Sequence, residues 1–115
     1  MQTFAEALAF GKKQGLGLEP MLDVVTSGPL AAPLFKLKGE MLKSRDFTKQ
    51  FPVALLLKDM DLVLQEGREQ GVYLPVSAAA REAVSGTQAL GYGDEDMMAL
   101  VKFTEKIAGL EPQPD

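Results

Sequence analysis

Apolar residues recur three and four positions apart along almost the whole sequence, which is the spacing of one face of an α-helix. No stretch rich in Val, Ile and Thr alternates with polar residues in the way that a half-buried strand would. The pattern therefore predicts an all-α fold, a single helical domain of five to six helices.

Prolines and glycines mark the expected helix ends, because Pro suits a first turn and Gly follows a last turn. We predict a first helix with Phe4, Leu8 and Lys12 on one face, a short helix over 20–26, one or two short turns over 30–42 interrupted by Pro33 and Gly39, a loop over 43–50, a long helix from Pro52 to about residue 70, an Ala-rich helix opened by Pro75, and a last helix that ends before Gly109.

Spacing alone does not decide which residues cap the helices. Thr3 and Glu6 fit a capping box, but so short a motif also arises by chance, and an uncapped start stays open. Asp94 is placed to cap the last helix. Glu95 and Asp96 suit the positive end of that helix better than a catalytic pair, since adjacent helical residues point about 100° apart.

The residue counts exclude several kinds of site and of catalysis. The 115 residues include no Cys and no His, which excludes disulfides, zinc–thiolate sites and imidazole acid–base catalysis, and no metal site is predicted. The net charge is -4 and no basic stripe is visible, so nucleic acid is not an expected partner. The longest apolar run is too short to span a membrane, and with no cysteine a cytoplasmic location is expected.

The long helix after Pro52 carries the most unusual position. A wheel at about 100° per residue places Asp59 inside a broad apolar arc and Lys58 at its edge. A carboxylate there requires a hydrogen-bond donor or a polar cavity. The structural alternative is that Asp59 accepts backbone hydrogen bonds from a neighbouring helix and that Lys58 pairs with Asp61. The arc consists of Leu55, Leu62, Val63, Leu56, Met60, Val53, Leu64 and Leu57.

Two other groups of residues are candidates for a role. Several cations lie close together in sequence and suggest either an anion site or, because acidic residues are interspersed among them, a solvated face. Met97 and Met98, at helical spacing with Leu100 and Val101, are expected to be core residues. The cations are Lys36, Lys38, Arg45 and Lys49, and the interspersed acids are Glu40 and Asp46.

Several segments resemble the C-terminal domain of the β-hydroxyacid dehydrogenases, the superfamily that includes 3-hydroxyisobutyrate dehydrogenase. The resemblance covers nearly the whole chain and is greatest to the glyoxylate/succinic semialdehyde reductases. Its most specific element is the Lys58–Asp59 pair with Phe51 two turns earlier. The segments are 32–39, Phe51-Pro52, 58–60, Pro75-Val76, 78–80 and 90–94.

The resemblance implies a helical domain over 1–109, like the C-terminal domain of 6-phosphogluconate dehydrogenase-like enzymes, followed by a polar, Pro-rich, disordered tail over 110–115. In this family an N-terminal Rossmann domain binds NAD(P), and the helical domain covers the active-site cleft and supplies a dimer interface. By position, Lys58 resembles the lysine that contacts the cofactor. Phe51 and Asp59 resemble residues at the edge of the substrate pocket.

Two family features have no counterpart in the sequence. The family's catalytic lysine lies about two to three turns before the position of Met1, and no strand–loop–helix unit carries the Gly-rich loop that cradles the pyrophosphate. We therefore assign no catalytic residue, and we expect a homo-oligomer that neither binds cofactor nor turns over substrate without a Rossmann domain. The alternative is a stand-alone helical interaction module that has lost the catalytic half.

Overall fold

A computed structural model describes residues 1–29 and 31–110. Within these residues there is no β-strand, only one isolated antiparallel bridge between Pro52 and Asp96, so the all-α prediction is confirmed. None of the described helices is both long and apolar enough to cross a bilayer. The six α-helices are α1 (Gln2–Lys13), α2 (Leu18–Ser27), α3 (Pro33–Ser44), α4 (Val53–Glu69), α5 (Pro75–Thr87) and α6 (Leu100–Ile107).

The core forms where the amphipathic faces of these helices meet. Helix α1 packs along α6, α5 lies against both α4 and α6, and α2 pairs with α3. Met98 is completely buried, as predicted, while Met97 is only partly buried. The buried cluster comprises Phe4, Ala5, Leu8, Leu22, Leu42, Phe47, Val53, Val84, Met98, Ala99, Leu100 and Val101.

The interrupted turns predicted over 30–42 are wrong, because α3 is one continuous helix that extends to Ser44. Pro33 is its first residue, where the missing amide hydrogen removes no intrahelical bond. Gly39 is buried within it, and a Cβ built there would lie 3.5 Å from Leu22 Cδ2. Packing against α2 therefore offsets the cost of a mid-helix glycine, which is only about 1 kcal/mol.

The other boundaries differ less from their predictions. Helix α2 starts at Leu18, with Pro20 still inside the first turn. The predicted end near Gly71 is confirmed, and this glycine adopts the left-handed φ of 70° that ends many helices. A π-helical turn, Gln88–Tyr92, follows α5, and a 3-10 turn, Met97–Ala99, precedes α6. The predicted tail covers residues 110–115, and all of it except Leu110 lies outside the described residues.

The structure agrees with the uncapped alternative for the first helix, whereas the cap predicted for the last helix is wrong. Helix α1 begins at Gln2, so Thr3 lies inside it, and the Glu6 carboxylate accepts a hydrogen bond from the Gln2 side chain instead. At the other end of the chain, Asp96 is the capping residue in place of Asp94, since its carboxylate accepts from the amide of Met98 at 3.0 Å. Asp94 points into solvent and pairs with Lys49 at 3.6 Å.

Candidate functional site

Phe51 lies two residues before α4, and Lys58 and Asp59 lie in its second turn. Lys58 and Asp59 are 59% and 46% exposed, and the Lys58 Nζ atom lies 2.9 Å from Asp59 Oδ1. Phe51 is half-buried in the loop that leads into the helix. The structure therefore presents an ammonium and a carboxylate side by side in solvent, on the helix that follows an aromatic residue.

The helix-wheel prediction for Asp59 is only partly right. Its neighbours on the arc are not buried within the described chain, since Leu55 and Leu62 are 38% and 56% exposed. The physical reason is that α5 covers one side of α4 and leaves this side open. The alternative Lys58–Asp61 pair is also wrong, because Asp61 accepts a hydrogen bond from Arg81 of α5 at 2.8 Å.

A buried ion pair holds the backbone of Phe51. The Lys38 Nζ atom lies 2.8 Å from each oxygen of the Asp96 carboxylate, and both side chains are shielded from solvent. Asp96 Oδ2 also accepts from the Phe51 amide at 3.1 Å. Lys38 completes its contacts with Gln50 Oε1 at 3.3 Å. An ion pair between α3 and the residue that caps the 3-10 turn before α6 therefore fixes the residues that precede α4.

The electrostatics of Asp96 follow from this environment. Burial by itself raises the pKa of the Asp96 carboxyl, because it penalises the charged form. Hydrogen bonds from the Lys38 ammonium and from the amides of Met98 and Phe51 outweigh burial, so the net pKa lies below its ordinary value. Asp96 is thus held as a carboxylate and accepts hydrogen bonds, which suits a structural anchor.

Both interpretations of the cation group from sequence are wrong for Lys38. It is neither part of an anion site nor solvated, since its side chain is 2% exposed and its partner is 58 positions further on. Asp96 was predicted only as a residue at a helix start. Sequence reasoning gave no signal for the pair, because nothing in a local pattern specifies a partner at that separation.

A second buried carboxylate, Glu105, joins three helices. It accepts from Lys12 Nζ at 2.5 Å and from both terminal nitrogens of Arg45, at 3.2 and 3.0 Å. An open cleft of about 470 Å³ lies beside these residues. Because both cations are already paired with Glu105, the arrangement ties α1, the end of α3 and α6 together. Phe51, Lys58 and Asp59 do not line this cleft.

Comparison with known protein families shows which family the chain belongs to. The family model described as "NAD-binding of NADP-dependent 3-hydroxyisobutyrate dehydrogenase" matches residues 1–104. The chain belongs to this family. The resemblance inferred from the sequence is thereby confirmed, and the fold is that of a helical domain of these oxidoreductases.

Individual relatives agree with the family assignment. The chain is 37% identical to glyoxylate/succinic semialdehyde reductase 1 of Arabidopsis thaliana over 102 residues, which are 89% of this chain and 35% of that protein. It is 38% identical to 2-(hydroxymethyl)glutarate dehydrogenase of Eubacterium barkeri over 113 residues, 96% of this chain and 37% of that protein.

A solved structure gives the same result for the fold. The crystal structure of a 3-hydroxyisobutyrate dehydrogenase from Salmonella typhimurium superposes with a TM-score of 0.81 at 29% identity, over 87% of this chain and 35% of that one. The chain spans about a third of the length of the curated relatives that it matches.

Proposed function

We propose that the chain is the part of an NAD(P)-dependent β-hydroxyacid dehydrogenase, or of a glyoxylate or semialdehyde reductase, that covers substrate and cofactor. The observation that carries this proposal is the exposed Lys58–Asp59 pair on an open face of α4, the helix that follows Phe51 in the chain. An ammonium and a carboxylate flanked by the exposed apolar residues Leu55 and Leu62 form a suitable wall for a polar ligand that is bound between two domains.

Each residue has a distinct role in this proposal. The Lys58 ammonium donates hydrogen bonds to the cofactor, whose phosphates give it a negative charge that favours a cation. The Asp59 carboxylate accepts a hydrogen bond from a hydroxyl group of the substrate, and Phe51 forms the apolar edge of the same pocket. NAD(P)H, when bound, supplies the hydride. The residues present fit this cofactor because the Lys58 ammonium is exposed, and among the described residues its ion-pair partner is the neighbouring Asp59 carboxylate.

The 115 residues by themselves are proposed to be inactive. The residues that the structure describes form no strand–loop–helix unit for the Gly-rich loop that cradles a pyrophosphate, and none of the 115 residues resembles the family's catalytic lysine. Domain closure over a nicotinamide requires a Rossmann domain, either on the same polypeptide or on another. We therefore expect no turnover when the chain is mixed with NADPH and glyoxylate or succinic semialdehyde.

A chimera tests this proposal directly. The chain replaces the matching part of the Arabidopsis reductase, to which it is 37% identical, and NADPH-dependent reduction of glyoxylate and succinic semialdehyde is measured. We expect activity from the chimera and none from the chain alone. Robust turnover by the chain alone would contradict the proposed inactivity, and a folded but inactive chimera would contradict the domain assignment.

Substitutions on α4 test whether Lys58 contacts the cofactor and Asp59 the substrate. Lys58→Met is expected to raise the KM for NADPH, and Asp59→Asn the KM for the carbonyl substrate, each by about tenfold, since a hydrogen bond to a charged group is worth that much. Asp61→Asn is the matched control, because Asp61 lies on the same helix and pairs with Arg81 instead. An equal effect of all three variants would refute the assigned roles.

A second candidate function is supported by the apolar side chains that α4, α5 and their connection leave exposed. Val72, Tyr73 and Val76 are exposed in addition to Leu62 and Val63. Such a surface suits an oligomer or another protein. We therefore propose a homo-oligomer under both candidate functions. Under the second, the chain acts as a stand-alone interaction module. Analytical ultracentrifugation checks this, and a monodisperse monomer would contradict the proposed homo-oligomer and with it the interaction module.

A further inference from the structure

The segment around Asp96 holds both polar backbone groups of Phe51. The Phe51 amide donates to Asp96 Oδ2 at 3.1 Å, and the Phe51 carbonyl accepts from the Met97 amide at 2.8 Å. The preceding residue is held as well, because Lys38 Nζ contacts Gln50 Oε1. Phe51 is therefore placed by side-chain and backbone groups from two other elements and not by its own loop.

The same segment fixes the start of α4. The first amides of a helix have no intrahelical partner. Here the Val53 amide donates to the carbonyl of Glu95 at 2.9 Å, and the Ala54 amide donates to that of Gly93 at 3.0 Å. The origin of the helix that carries Lys58 and Asp59 is thus tied to residues 93–96.

Asp96 anchors this segment through a charge that is completely enclosed. Its carboxylate is 0% exposed and accepts from Lys38, Met98 and Phe51. Loss of the charge leaves the Lys38 ammonium buried without its counterion, which is strongly unfavourable. The local structure must then open or rearrange, and the residues held directly by Asp96 are the first to be affected.

We propose that Lys38 and Asp96 are positioning residues for the substrate pocket: their buried ion pair sets the place of Phe51 and the start of α4 without contacting substrate or cofactor. This inference rests on the proposed function, in which Phe51 and Asp59 line that pocket. It assigns a role to two residues outside the α4 face, and it predicts that substrate binding is sensitive to removal of the charge of Lys38 or Asp96.

The first test uses the 115-residue chain and amide hydrogen exchange measured by NMR. Asp96→Asn keeps the shape of the side chain and removes its charge. We expect exchange at Phe51, Val53 and Ala54 to accelerate at least about tenfold more than exchange at Leu8, which reports on the core. Glu105→Gln is the matched control, since it neutralises another buried carboxylate far along α6, and its effect on these amides must not exceed that on Leu8.

The second test measures kinetics in the chimera. Asp96→Asn is expected to raise the KM for the carbonyl substrate at least about fivefold, and more than the KM for NADPH, because Asp96 contacts Phe51 directly and Lys58 only through α4. Glu105→Gln is expected to leave both KM values unchanged. If Asp96→Asn does not fold, Lys38→Gln takes its place, because it removes the counterion and leaves the hydrogen bonds between Asp96 and the backbone.

The outcomes separate the two proposals. Exchange at Phe51 that changes only in parallel with Leu8, or an unchanged KM for the carbonyl substrate in an active chimera, would overturn the positioning role. An inactive unsubstituted chimera would instead overturn the proposed function, and the exchange rates would still decide whether the ion pair places Phe51.

Discussion

Arg45 forms a two-pronged ion pair with Glu105: its terminal nitrogens lie 3.2 and 3.0 Å from the two carboxylate oxygens. Arg45 adopts a left-handed backbone conformation with φ of 50° at the end of α3, which is uncommon for a residue other than glycine. The paired geometry explains why an arginine occupies this place, since only a planar guanidinium donates two parallel hydrogen bonds to one carboxylate.

Substitution of Arg45 tests the value of this pair. Arg45→Leu leaves the buried Glu105 carboxylate paired with Lys12. We expect the free energy of unfolding in urea to fall by about 1.5–3 kcal/mol, the usual worth of hydrogen bonds to a charged group. Lys43→Leu is the control, because Lys43 pairs with the exposed acids Glu19 and Glu40, and its urea midpoint should not move measurably. Equal losses in the two variants would argue against a special role for Arg45.

The buried ion pair of Lys38 is expected to be worth more. Lys38→Met removes one partner and leaves the Asp96 carboxylate charged in the interior, which costs about 3–5 kcal/mol of unfolding free energy. Lys36→Met on the same helix loses the same charge from an exposed position and should leave stability unchanged. Urea denaturation followed by circular dichroism checks both variants. A loss below about 1 kcal/mol for Lys38→Met would show that Asp96 is stabilised by its amide donors alone.

Asp96 also predicts how stability depends on pH. Its pKa is lowered in the folded state from an ordinary value of 3.8, so the unfolded chain takes up the proton first as the pH falls. Its contribution to stability is present above about pH 4 and is lost as the pH falls through the folded pKa. In Asp96→Asn this loss is absent, so the difference in unfolding free energy between the two proteins should shrink below that pH.

Two exposed carboxylates also have a lowered pKa and so contribute to the pH dependence of stability. The test therefore compares the unfolding free energy of the unsubstituted protein with that of Asp96→Asn. The pKa of Asp46 is lowered by hydrogen bonds from the Thr48 hydroxyl and amide, and that of Asp61 by a hydrogen bond from Arg81. Both act equally in the unsubstituted protein and in Asp96→Asn, so their effects cancel. A difference that stays constant between pH 6 and pH 2 would contradict the lowered pKa of Asp96.

Two helical glycines are expected to respond to alanine in opposite directions. At Gly39 a Cβ meets Leu22 at an ordinary contact distance of 3.5 Å, so Gly39→Ala should raise the unfolding free energy by about 0.5–1 kcal/mol through helix propensity. At Gly86 a Cβ would overlap the ring of Phe103, so Gly86→Ala should lower it by about 1–3 kcal/mol.

Thermal unfolding of these two variants gives the sign of each change. Combining Gly86→Ala with Phe103→Leu should recover part of the loss, because the smaller side chain makes room for the methyl group. Additive losses in the double variant would mean that the ring of Phe103 is not the cause.

Local pattern was enough for much of the helical framework. The long helix after Pro52, its end at Gly71 and the core position of Met98 agree with the structure. The same reasoning is wrong at α3, because local pattern predicts interruptions at Pro33 and Gly39 and the helix is continuous. Proline at a first turn and glycine against a neighbouring helix are both tolerated, and only the packing shows which applies.

The α4 face shows the same division between local and tertiary information. Sequence reasoning selected Phe51, Lys58 and Asp59, and the structure places the latter two side by side in solvent. It did not reveal that Leu55 and Leu62 remain exposed beside them, because a helical wheel shows which residues share a face and not whether another element covers it.

By itself, the sequence determined the all-α class, the approximate helix boundaries and the resemblance to the family, since all three depend on local periodicity and short segments. Only the tertiary structure decided which charges are buried. Lys38 and Asp96 lie 58 positions apart, and Arg45 and Glu105 lie 60 apart. Burial and ion pairing depend on which helices meet, and that meeting is set by the summed packing of the core and not by any one segment.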